Sequence, residues 1–217
     1  VDGLGSLPVL ADLDGDGDQD LASAEYFVKD GSFAWAEQVE KPSTASPAGR
    51  WARHVVANDL GPSIAMFFHD DLYGDGVRRA VGLNHTNTAK LPADPWESAV
   101  YVFDVPSDPK GAWPRTKVST GIVSVPGSLF APQGAPGVGS AGDLDGDGDV
   151  DLAVSGDGDP NVYWLEQGPG RTWTTHVLEG NLAQAGATTI VDLDGDGRHE
   201  IVVPVYTTNA IYVYTRD

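Results

Sequence analysis

The chain has 217 residues, 41% of them hydrophobic, and carries 13 Lys and Arg against 32 Asp and Glu for a net charge of −19. That is apolar material for one domain with a real core, while so acidic a chain with no basic cluster suits neither a nucleic-acid backbone nor an anionic membrane surface. No apolar run approaches the length that spans a bilayer, and there is no cysteine from which to build a disulfide framework.

In chain order, a short strand-like run, Leu7-Pro8-Val9-Leu10, leads into Asp12-Leu13-Asp14-Gly15-Asp16-Gly17-Asp18-Gln19-Asp20. Carboxylates at alternate positions of a tight loop repel one another unless a hard cation sits among them, and calcium takes six to eight oxygen ligands from such loops. Positions 1, 3, 5 and 9 supply carboxylates, glycine at position 6 permits the sharp turn, and position 7 offers its backbone carbonyl. The closing acid falls at position 9 rather than 12 and no helix pattern flanks the loop, so it is not an EF-hand. Leu21-Ala22-Ser23-Ala24 follows as a strand, then the aromatic run Phe33-Ala34-Trp35-Ala36. A Pro/Ser-rich surface excursion over 40–49 precedes a last strand, Trp51-Ala52-Arg53-His54-Val55-Val56.

The second unit departs from the first. Its loop, Asp71-Leu72-Tyr73-Gly74-Asp75-Gly76-Val77-Arg78-Arg79, has lost the acids of positions 3 and 9, and a guanidinium from Arg78 or Arg79 paired with Asp71 and Asp75 would take the place of a metal. It is expected to bind no calcium. This unit also holds His69 and His85, which lack counterparts elsewhere, and with Asn84 and Trp96 they form the candidate ligand pocket, the indole stacking on a sugar. Val100-Tyr101-Val102-Phe103 repeats the aromatic strand, and Trp113-Pro114-Arg115-Thr116-Lys117-Val118 is a weaker echo of the last one. A Gly/Pro-rich segment over 121–137 reads as a surface excursion covering one end.

Intact loops return at Asp143, Asp145, Asp147, Asp149 and Asp151, and at Asp192, Asp194, Asp196, Arg198 and Glu200. Asp18, Asp149 and Arg198 share position 7, as expected where only the backbone faces the ion. The strands Leu152–Ser155 and Ile201–Pro204 follow, with aromatic runs Val162–Leu165 and Ile211–Tyr214 and a second Trp-x-x-His strand, Trp173–Leu178. Three bound divalent ions would bring the formal charge to about −13. His54 and His176 occupy one repeated strand position and are read as structural, as are Trp51 and Trp173.

Four units of strand, acidic loop, strand, aromatic strand and closing strand, spanning about 5–60, 61–125, 137–182 and 186–217, describe an all-β β-propeller of four antiparallel blades within one domain, 1–217, the calcium loops joining first and second strands. The last unit ends after its third strand. A compact four-bladed ring, a ring completed by an oligomeric partner or another chain, and a piece of a longer protein all remain open.

The Asp-x-Asp-Gly-Asp-Gly-x-x-Asp/Glu loops and their spacing resemble the FG-GAP or VCBS type of calcium-binding β-propeller repeat, as in integrin α heads, propeller lectins and domains of secreted bacterial enzymes. The resemblance implies about three calcium ions held by these loops. Calcium loops of this sort fill outside cells, and a start at Val1 suits a processed chain, so a secreted protein is expected. The first functional reading is a carbohydrate-binding, lectin-like module. The alternatives are a propeller-type polysaccharide lyase or sugar dehydratase using His69 or His85, and a protein-adhesion module.

Overall fold

The computed structural model describes residues 4–26, 28, 31–86, 95–124, 134–180, 182 and 184–216. Fifteen strands and no helix occur among them, in four antiparallel sheets. The first sheet holds β1 (Ser6–Ala11), β2 (Asp20–Ala24), β3 (Phe33–Glu40) and β4 (Arg50–Ala57). The second holds β5 (Ala65–His69), β6 (Arg79–Asn84), β7 (Ala99–Asp104) and β8 (Arg115–Lys117). β9 (Gly139–Gly142), β10 (Asp151–Ser155), β11 (Val162–Gly168) and β12 (Thr172–Glu179) form the third, and β13 (Thr189–Val191), β14 (Glu200–Val205) and β15 (Ala210–Tyr214) the fourth. Each sheet is ordered as its strands follow in sequence. Every acidic loop therefore joins the first two strands at one end, and the turns after β2, β6, β10 and β14 lie at the other.

Alternation along the second strands decides which face meets which neighbour. Ala22, Ala24, Phe33 and Trp35 of the first sheet pack with Met66, Ala80 and Phe103 of the second. The other face of the second sheet, with Val81, Leu83, Val100 and Val102, meets Leu152, Val154, Tyr163 and Leu165 of the third. Ala153 and Val162 then meet Ile201, Val203 and Val205 of the fourth. Each large apolar side chain so buried stabilises the fold by roughly 1.5–3 kcal/mol relative to exposure. β1 lies beside β5 and β9 beside β13, held by Ser6 Oγ donating to the Ile64 carbonyl at 2.6 Å and by Ile190 N donating to Ser140 Oγ at 3.0 Å.

The same alternation leaves two faces open. On the first sheet Leu10, 65% exposed, and Val55 lie on the side that the third and fourth sheets turn toward their predecessors. On the fourth sheet Ile211, 69% exposed, Val213 and Val202 lie on the side that the first three sheets bury against their successors. β15 is an outer edge without a charged residue, whereas β4 carries Arg50, Arg53 and His54 and β8 carries Arg115 and Lys117, the charges that blunt an exposed edge.

The Trp-x-x-His strands are built alike. His54 stacks on Trp35 at 4.5 Å and contacts Glu37 Oε2 at 3.0 Å; His176 stacks on Trp164 at 4.6 Å and contacts Glu166 Oε2 at 2.6 Å. Two equal arrangements in two sheets identify a packing device between third and fourth strands. The echo at Trp113–Val118 yields only the three-residue β8, because Pro114 lacks an N–H and the Trp113 indole turns inward to donate to the Pro109 carbonyl at 2.8 Å.

Candidate metal centres

Each intact loop is wound around its first aspartate. Asp12 accepts the N–H groups of Gly15 and Gly17 at 2.8 and 3.2 Å, Asp143 those of Gly146 and Gly148 at 2.7 and 3.1 Å, and Asp192 those of Gly195 and Gly197 at 2.7 and 3.0 Å. The paired glycines at positions 4 and 6 all have φ between 78° and 94° in these loops, a conformation costly for side-chain-bearing residues. Position 4 is thus as constrained as position 6.

The acid of position 9 fastens the loop to the sheet. Asp20 accepts from Leu13 N at 3.0 Å and Gln38 N at 2.9 Å, Asp151 from Leu144 N at 3.1 Å and Gln167 N at 2.8 Å, and Glu200 from Leu193 N at 2.8 Å. All three are buried. The winding brings positions 1, 3 and 9 together in three triads, Asp12/Asp14/Asp20, Asp143/Asp145/Asp151 and Asp192/Asp194/Glu200, with one oxygen from each acid within 4.8 Å of the others. Two oxygens across a calcium ion stand roughly 5 Å apart, so one ion reaches all three. A set of hard oxygens with no nitrogen or sulfur fits calcium or another hard cation. The acids of position 5, Asp16, Asp147 and Asp196, stand outside the triads and accept the N–H of position 7 at 2.9, 2.8 and 2.8 Å. Asp18, Asp149 and Arg198 at position 7 likewise contribute no side chain to them.

Without a cation these triads are electrostatically costly. Burial pushes the Asp20 and Asp145 carboxyls above their ordinary range and the Asp151 carboxyl up to about 6, the backbone donors to Asp20 and Asp151 opposing the rise only partly.

The second loop keeps the winding, with Gly74 and Gly76 at φ 67° and 68° and Gly76 N donating to Asp71 at 2.6 Å. Of the two arginines, Arg79 replaces the acid of position 9. Its guanidinium spans both oxygens of Asp75 at 2.6 and 2.8 Å, donates to Asp104 at 2.7 Å, and lies 4.5 Å over the Tyr73 ring. Arg171, from the turn before β12, covers Tyr73 at the same distance and reaches Asp75 at 2.8 Å. These contacts hold Asp75 well below the usual carboxylate range, Arg79 being the largest cause. Arg78 does something else. It pairs with Asp70 at 2.6 Å and donates to the Asp12 carbonyl at 2.9 Å, while His199, also at position 8, contacts the Asp143 carbonyl at 2.8 Å. Position 8 thus latches the second loop to the first and the fourth to the third.

Residues 143–203 match a family model described as an FG-GAP-like repeat. The matched stretch runs from the third loop through the fourth and includes two of the three acid triads. A search of curated proteins finds no match.

The four residues of the expected ligand pocket do not assemble as a group. His69 sits beside the second acidic loop, its Nδ1 accepting from Asp71 N at 3.1 Å, whereas Asn84 and His85 lie at the far end of β6. Asn84 is committed to Ser63 Oγ at 3.0 Å and the Glu97 carbonyl at 2.6 Å, and Trp96 packs over Gly61. His85 turns toward the third sheet, with Nδ1 against the Pro136 carbonyl and Nε2 3.7 Å from Asp157 Oδ2. Its neighbours Tyr26 and Asp157, and Tyr206 beyond Asp157, escaped the sequence reading, although a signal was there: all four stand fourteen residues after the first aspartate of their loop. Of the segment over 121–137 expected to cover one end, 125–133 lies outside the described residues, as does 87–94.

Proposed function

We propose that the chain is a secreted, calcium-stabilised β-propeller-type binding module whose ligand is carbohydrate. The acid triads at one end of three sheets are the observation that carries this reading. They provide oxygen sites in the first, third and fourth units, and Arg79 provides a guanidinium in the second, so that every first-to-second strand turn has a cation to wind around. Calcium is structural in this account: it neutralises the triads and ties each turn to the strand behind it.

Recognition is assigned to the opposite end. There Trp96, 38% exposed, and Tyr206, 67% exposed, present ring surface of the kind on which apolar sugar faces stack, near polar groups that accept hydroxyls. A glycan array probed in calcium buffer, then again after chelation, tests the proposal. Selective glycan binding that weakens without calcium is expected; a chain that retains no glycan in calcium buffer contradicts the carbohydrate assignment.

A further inference from the structure

The segments leading into the first strands, with the turns after β10 and β14, line a cavity of about 660 Å³ at the end of the molecule opposite the acidic loops. Its walls come from all four units, with Leu7, Ile64, Val138, Asp157, Gln184 and Tyr206 among them. The volume lies in the range of roughly 300–1,000 Å³ typical of small-molecule sites. Two of the four non-glycine residues with positive φ among the described residues, Leu7 at 27° and Asp157 at 50°, line it. Such conformations persist where the surroundings impose them.

The polar groups there are held from behind. Gln184 Nε2 donates to Asp157 Oδ1 at 3.2 Å, and the Gln184 carbonyl accepts the Tyr206 N–H at 3.0 Å. The buried His85 ring stands behind the carboxylate, with Tyr26 edge-on at 5.3 Å. A carboxylate has about four acceptor positions. Gln184 occupies one, His85 faces the other oxygen from 3.7 Å, and the residue lines the cavity. Charge-assisted hydrogen bonds to hydroxyls are the strong contacts such a group makes.

We infer that this axial cavity is a subsite for one neutral sugar unit, the Asp157 carboxylate accepting two hydroxyls, the Gln184 amide orienting it, and the Tyr206 ring covering an apolar face of the sugar. The inference rests on the carbohydrate reading above and gives it a location. The net charge of −19 and the carboxylate at the centre disfavour acidic sugars and phosphates.

Titration with a panel of neutral mono- and disaccharides in calcium buffer, followed by ligand-observed NMR, tests it on the full chain. Asp157→Asn suits the experiment because asparagine tolerates positive φ, so shape is kept while the charge is lost. Binding by the parent chain, a tenfold or greater loss in Asp157→Asn and a clear loss in Tyr206→Ala are expected. Lys41→Ala, at the opposite end, should bind as the parent does. Calcium content equal to the parent's establishes that the variants are folded. Undiminished binding in both site variants would overturn the subsite while leaving the carbohydrate reading in place. No binding of any neutral sugar by the parent chain would overturn both.

Discussion

Removal of calcium is expected to lower Tm by about 4–20 °C. A ligand that binds the folded chain alone stabilises it by RT ln(1 + [L]/Kd). At about 2 mM calcium and dissociation constants of roughly 10⁻⁴–10⁻³ M, the range of extracellular modules, each triad contributes about 0.7–1.8 kcal/mol. Three triads give about 2–5 kcal/mol, and a chain of this size shifts by roughly 2–4 °C per kcal/mol. The direction follows from the acids: emptied triads leave Asp20, Asp151 and Glu200 buried beside further carboxylates. Scanning calorimetry in calcium and in excess chelator reads the shift. Superimposable melts would mean that the triads hold no ion of consequence to the fold.

Arg79→Ala is expected to destabilise the protein by about 3 kcal/mol, with a Tm loss of roughly 6–12 °C. The value is taken at the low end for breaking a buried ion pair because Asp75 and Asp104 keep contact with water, at 30% and 50% side-chain exposure, while the Arg79 side chain is 4% exposed. The loss should persist in saturating calcium, since the Asp71 loop lacks the acids of positions 3 and 9 from which the three triads are made. Recovery of full stability by calcium in Arg79→Ala would show that the guanidinium had been blocking a competent metal site.

Much of this was legible because the repeats reinforce one another. A single Asp-rich turn is ambiguous, but four windings at comparable spacing, each followed by an apolar run, an aromatic run and then, in three of the units, a Trp-led run, predict sheets of consecutive antiparallel strands. Those strands form, with β8 shortened at Pro114. The pairing of the second loop was half legible: the sequence offered Arg78 and Arg79 as equals. Alternation along the chain separates them, sending Arg79 inward to Asp75 and Arg78 sideways to the neighbouring loop.

The ligand pocket was the least legible feature, for a geometric reason. His69 and His85 are close in sequence, but a six-residue strand rising about 3.3 Å per residue carries the chain some 20 Å between them. Residues at the same offset in successive units are the ones a repeat fold brings near one another: Tyr26 meets His85, His85 meets Asp157, and Asp157 and Tyr206 line one cavity. They differ in chemistry from unit to unit, so residue type alone gave no reason to align them. Ring closure was illegible too, since it depends on what covers the open faces around Leu10 and Ile211.

The central claim is that the first, third and fourth acidic loops hold calcium and the second holds a guanidinium in its place. Counting bound ions by native mass spectrometry, or by equilibrium dialysis with metal analysis, tests it most directly. The account predicts three calcium ions per chain, two in Asp145→Ala, and three still in Asp75→Ala. A chain without calcium, or an ion lost with Asp75, would contradict it.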